Sequence, residues 1–122
     1  HHVPLIFYAP GRISAQSRPE LAQQIDIGPT IIGMLWPHEP NLTMGLDLQR
    51  HKRKYVFFSA DNKIGVLDSV YFYRYRLADG NESLYHYHTH DTHDFFPDLK
   101  SKADSMRTYG FSMIQYAYDK LK

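Results

Sequence analysis

The densest run of chemistry-bearing side chains is Tyr85-His86-Tyr87-His88-Thr89-His90-Asp91-Thr92-His93-Asp94. In an extended strand His86, His88 and His90 share one face, because side chains alternate with a period of two. Three imidazoles on one face, with Asp91, His93 and Asp94 beyond them, form a donor set that suits Zn²⁺ or Ni²⁺. Side chains at i and i+2 stand about 7 Å apart, which is wide for ligands about 2 Å from one ion. A working site would therefore draw on other elements as well. The competing reading is a polar strand end entering a loop, with partly protonated histidines.

Other candidates are sparser. His2 stands at the entry of an apolar run, and strand ends of this kind border ligand sites in α/β sheets. The His1-His2 pair also reads as a tag remnant, in which case Val3 is the first native residue. Ser59 and Ser69 have no partner base in sequence, and neither G-x-S-x-G nor a P-loop occurs. Gly28-Pro29-Thr30 opens a helical pattern, and helix N-termini attract anions. Asp26 is the expected N-cap there, and its charge would repel one. The basic run Arg50-His51-Lys52-Arg53-Lys54 fits a phosphate or lipid-headgroup contact, or a solvated loop leading into a strand.

Positioning such groups requires a folded core, and the composition supplies one. Of 122 residues, 43% are apolar and 15% aromatic, too much for a disordered chain. Cysteine is absent, which excludes disulfides, thiolate catalysis and cysteine-ligated zinc. A formal charge of +1 argues against nucleic acid as a partner. No apolar run approaches the roughly 20 residues that span a bilayer, and no signal-peptide pattern occurs. Such signals in a membrane or exported parent would precede residue 1.

Leu5–Ala9, bounded by Pro4 and Pro10-Gly11, reads as a short strand buried on both faces, the kind found inside a parallel sheet. Residues 12–23 read as a loop. Ile27, Ile31, Met34 and Leu35 recur at helical spacing and predict a short, mostly buried helix that Pro37 ends. Residues 37–54 read as a long surface loop. From Lys54 the period changes to two. Tyr55–Ala60, Ile64–Leu67, Val70–Leu77 and Glu82–His88, punctuated by Asp61-Asn62, Asp68-Ser69 and Asp79-Gly80, predict a four-stranded antiparallel meander. From Asp98 a stripe of Leu99, Ala103, Met106, Gly110, Met113, Ala117 and Leu121 predicts a helix on one face of that meander. Gly110 is expected to permit close approach to the sheet.

Two stretches resemble a known family. His2-Val3-Pro4-Leu5-Ile6-Phe7-Tyr8-Ala9-Pro10-Gly11, followed by Gln24-Ile25-Asp26-Ile27-Gly28-Pro29-Thr30-Ile31-Ile32-Gly33-Met34-Leu35, looks like the late part of the sulfatase-like proteins of the alkaline phosphatase superfamily. The pattern is most similar to the lipoteichoic acid synthase and phosphoglycerol transferase branch. Met44-Gly45-Leu46-Asp47-Leu48 is similar to that branch's Met-Gly-x-x-Leu, and Asp79, Gly80, Leu84 and Tyr85 match its closing meander.

The resemblance implies that the chain is the C-terminal part of an α/β sandwich enzyme, α+β within residues 1–122. Residues 1–50 would be the edge of the catalytic domain, contributing one strand and one helix. Residues 51–122 would be a small antiparallel subdomain with a terminal helix. The implied parent is a membrane-anchored, extracytoplasmic transferase or hydrolase. It would use a divalent metal (Mn, Zn or Ca) and a Thr, Ser or formylglycine nucleophile on phosphate or sulfate esters, phospholipids among them. That nucleophile and those metal ligands have no counterpart in residues 1–122, so the piece alone is expected to be inactive. His2 is the one position implied to border the site, contacting the ester's anionic group or glycerol. The partners implied are the upstream part of the same chain and, through an exposed sheet edge, a second copy. An apolar patch is expected at Leu5–Ala9 and Ile27–Leu35, where the missing sheet would pack. The alternative is a self-contained small binding module, in which Val3–Ala9 would be paired within one chain.

Overall fold

The structure, a computed structural model, describes residues 3–89 and 91–122. A four-stranded antiparallel sheet with sequential order is formed by β1 (Val56–Ala60), β2 (Lys63–Leu67), β3 (Tyr71–Arg76) and β4 (Glu82–His86). The helix α2 (Lys100–Lys120) packs on one face of it. Ahead of the sheet, a single 3-10 turn (Gln24–Asp26) runs into the helix α1 (Ile27–Leu35). The fold is α+β, with the meander and closing helix that the sequence periods predict.

Local chemistry explains the turns. Asp61 and Asn62 both have positive φ, 50° and 56°, the conformation a two-residue hairpin loop needs and one that Asn and Asp tolerate. Gly80 supplies φ 70° in the β3–β4 turn. The strands end a little earlier than alternation alone suggests. β4 stops at His86, and residues 87–89 turn away, held by the Tyr87 hydroxyl donating to the Asp68 carbonyl at 3.0 Å.

One core lies between sheet and helix. Val66, Tyr73, Leu84, Ala103 and Met106 are fully buried. A Cβ at Gly110 would come within 2.9 Å of Val66 Cγ2 and 3.2 Å of Ile64 Cγ2, so this glycine does set the depth of docking. Tyr73 buries its ring and donates its hydroxyl to Glu82, which also accepts from Arg107 at 3.0 Å. Burial first, then the Glu82 carboxylate, pushes the Tyr73 hydroxyl's pKa upward, so it stays a donor.

The first third shows the expected exposed apolar patch at Leu5–Ala9 and Ile27–Leu35 but departs from two other expectations. Val3–Ala9 joins no strand, and Ile6 and Tyr8 are 81% and 87% exposed. A strand persists only when a neighbour takes its backbone groups, and no described residue does so here. The chain instead turns at Ala9, whose carbonyl accepts from the amides of Arg12 and Ile13. Nor is α1 mostly buried. It buries Pro29 and Thr30, while Ile31, Ile32 and Leu35 remain exposed. Pro29 and the hydrogen-bonded Thr30 form its docked side, Ile27 and Met34 are half-buried, and Ile31, Ile32 and Leu35 face outward.

Candidate functional site

Asp26 has four hydrogen bonds converging on its carboxylate. Oδ2 accepts from the Gln23 amide at 2.8 Å and Arg53 Nε at 2.7 Å; Oδ1 accepts from the Leu46 amide at 2.8 Å and from the second guanidinium nitrogen of Arg53. Arg53 NH1 also donates to the Tyr109 hydroxyl at 2.8 Å. The pair is buried. Burial opposes charge on both partners, but the hydrogen bonds outweigh it: Asp26 is held below the ordinary carboxyl range, and the Arg53 pKa is raised further. Such fork-to-fork pairing is the strong form of an Arg–carboxylate contact.

This corrects two expectations. Asp26 does not cap α1; no side-chain cap bond is present there, because Arg53 and the Leu46 amide draw its carboxylate away. Arg53 is not part of a solvated run, although Lys52 and Lys54 are exposed. Parity was the available signal. Arg53, Tyr55 and Phe57 share a register, and Tyr55 and Phe57 pack their rings on Tyr109 at 5.1 and 6.4 Å.

The residues Met44–Leu48 close over the same point. The Thr30 hydroxyl donates to the Asp26 carbonyl at 2.6 Å and accepts from the Leu48 amide at 3.0 Å. A Cβ at Gly45 would overlap the Ile25 carbonyl and Pro29, so only glycine fits. The stretches 24–35 and 44–48 thus form one interlocked unit fastened to α2 through Arg53 and Tyr109.

Shallow depressions of about 290 and 300 Å³ flank Lys52–Lys54. Glu20, Asp68, Ser69 and Lys102 line one; Met44, Leu46, Tyr109 and Met113 line the other. Three of the cations here have carboxylate partners: Lys52 with Glu20 at 3.8 Å, Lys102 with Asp68, and Arg53 with Asp26. The arrangement can hold and orient. It contains no nucleophile beside a base.

The described members of the histidine run are not gathered into one site. His86 lies in β4, its ring 5.7 Å from Tyr71. His88 lies past the strand end, 6.3 Å from His86 between ring centroids, with Nε2 3.0 Å from the Ser69 carbonyl. His93 packs on Phe95 at 4.5 Å and sits 3.7 Å from Asp98. Asp91 and Asp94 accept from backbone amides. His2 and His90 lie outside the described residues. Among the described residues, no three His, Asp or Glu side chains are grouped to hold a metal ion. Ser59 lies exposed on β1 and Ser69 in the β2–β3 turn, neither with a base at its hydroxyl. No described helix is long and apolar enough to cross a membrane.

No protein-family model, curated protein or solved structure matches this chain.

Proposed function

We propose that this chain is the C-terminal part of a sulfatase-like, metal-dependent phosphoglycerol transferase or phosphate/sulfate ester hydrolase, anchored at the cell membrane with its catalytic part outside. The chain would provide scaffold rather than chemistry. The nucleophile and the metal ligands would come from upstream, and His2 would approach the anionic ester.

The observation that carries the reading is the apolar surface of the first third. Leu5, Ile6 and Tyr8 and the α1 residues Ile31, Ile32, Leu35 and Trp36 are all exposed. Exposed apolar surface of this kind marks a docking face, and an α/β sheet packs its helices through such faces. The interlocking of Asp26–Thr30 with Leu46–Leu48 adds support, because it joins the motif stretches on which the resemblance rests. The absence of pairing at Val3–Ala9 favours this reading over a self-contained binding module.

The test is turnover of phosphodiester and sulfate-ester substrates with Mn²⁺ or Zn²⁺. The chain alone should be inactive, and an apolar dye should bind it and be displaced by the upstream segment encoded by the same gene. Metal-dependent turnover that persists after His86, His88 and His90 are replaced by Ala would overturn the reading.

A further inference from the structure

The two edges of the sheet are finished differently. At β4, Leu84 donates its N–H to Asp94 Oδ1 at 2.9 Å, and its carbonyl accepts from the Phe95 amide at 2.8 Å. That edge is covered at its middle residue. At β1 the direction of the backbone follows from the ladder. Arg76 N–H donates to the Asn81 carbonyl, and Arg74 and Phe72 lie opposite Ser83 and Tyr85. These even-numbered β3 residues therefore bond to β4, which leaves Tyr73 and Tyr75 bonding to Val66 and Ile64 of β2. Gly65 and Lys63 then bond to Phe58 and Ala60, because backbone direction alternates along an antiparallel strand. Phe57 and Ser59 point their N–H and C=O away from the sheet. The Phe57 carbonyl accepts from Gln23 Nε2. Among the described residues, nothing meets the backbone groups of Ser59.

The free edge also lacks protection. Val56-Phe57-Phe58-Ser59-Ala60 has no charge and no proline, and its pairing with β2 runs unbroken through five positions. Natural sheets normally blunt an edge with charge, proline or a bulge.

We propose that β1 pairs antiparallel with β1 of a second copy about a two-fold axis, joining two sheets into one of eight strands. Phe57 would form the hydrogen-bonded pair with Ser59 of the second copy. Phe58 would face its own counterpart at the non-hydrogen-bonded position, where Cα atoms approach to about 4.5 Å. This would extend the existing Phe58–Phe72 stack, whose centroids lie 5.9 Å apart. The occupant is a second copy for two reasons. An uncharged strand meets no repulsion from itself, and the cover over Leu84 at the middle of the β4 edge hinders growth beyond two chains, so the contact stays isologous. The Phe57 carbonyl has two lone pairs, so Gln23 need not leave.

Sedimentation equilibrium from micromolar to millimolar concentration tests this. The mass should rise from 14.3 kDa towards twice that value. Ser59→Pro removes only an outward N–H and should give a monomer with an unchanged circular dichroism spectrum. Phe58→Lys places like charges opposite each other and should weaken association by about tenfold or more, and mixing it with Phe58→Glu should restore a dimer. If Ser59→Pro misfolds, the charge-swap pair decides. A wild-type chain that stays monomeric throughout overturns the proposal. So does a dimer that survives in Phe58→Lys and dissolves in Trp36→Glu, because that dimer uses the α1 face.

Discussion

Residues 55–122 bury mainly apolar side chains, and residues 3–50 bury mainly polar ones. In the former, the fully buried side chains include Val66, Tyr73, Leu84 and Met106, and apolar packing between sheet and α2 holds them. In the latter, the buried polar side chains are Asp26, Thr30 and Asp47, while Trp36 is 60% exposed. One region is cemented by the hydrophobic effect, whose strength scales with area removed from water. The other is fastened by directed hydrogen bonds and one buried ion pair, and it keeps its apolar side free. A region built this way holds its shape at one end while its apolar side chains stay exposed at the other.

The sharpest way to break that comparison is to cut the fastening. Arg53→Met leaves a buried carboxylate without its counter-charge, and losing one partner of a buried pair costs about 3–5 kcal/mol. Chemical denaturation should register the loss, and hydrogen exchange should show amides of residues 24–48 opening before those of β2 and β3. The pH dependence should invert as well. In the native chain Asp26 lies below its ordinary 3.8, so its stabilisation is full above that value and is lost as pH falls through the folded pKa. In Arg53→Met the same carboxyl, buried without a cation, is pushed up, so this variant should gain stability as pH falls. Equal protection of both regions in the variant would mean that they do not differ as described.

Gly110→Leu probes the other region. The added side chain enters the gap closed by Val66 and Ile64, and overpacking of this kind costs about 1–3 kcal/mol. The loss should appear as a lower Tm with β2 and α2 amides exchanging together, and the Asp26–Arg53 fastening should survive. Calorimetry showing a Tm equal to wild type would place the helix farther from the sheet.

The meander and α2 were legible because their periods are enforced by a core. Residues on one face alternate along Tyr71–Arg76 or recur at three and four along α2, and each meets its partner within the chain. In the first third the exposed patch was legible, but the formed strand and the mostly buried helix were misread for the same reason. Leu5–Ala9 and Ile27–Leu35 have apolar patterns that imply burial, yet pattern states only an appetite for burial, and no described residue covers their exposed side chains. Arg53 was hidden in a run of five basic residues. A charge run normally signals solvent, and only its shared parity with Tyr55 and Phe57 marks it as inward. The histidine run misled by continuing the strand period beyond His86, where β4 has already ended.

The smallest expected effect is also the most discriminating. Ile31→Ser and Leu35→Ser each remove an exposed apolar side chain from α1. Surface changes away from caps and networks usually stay within about ±0.5 kcal/mol. By contrast, Leu84→Ala in the core should cost about 2–5 kcal/mol. Thermal unfolding of the isolated chain should therefore barely distinguish the two α1 variants from wild type, while their binding of an apolar dye falls. Covering the face reverses this ranking, because a side chain exposed in the free chain becomes a core side chain in the assembly. If the proposed upstream segment exists and covers α1, Ile31→Ser should lower the stability of that assembly by an amount typical of core positions. If it does not, α1 is not the docking face that the proposed function requires.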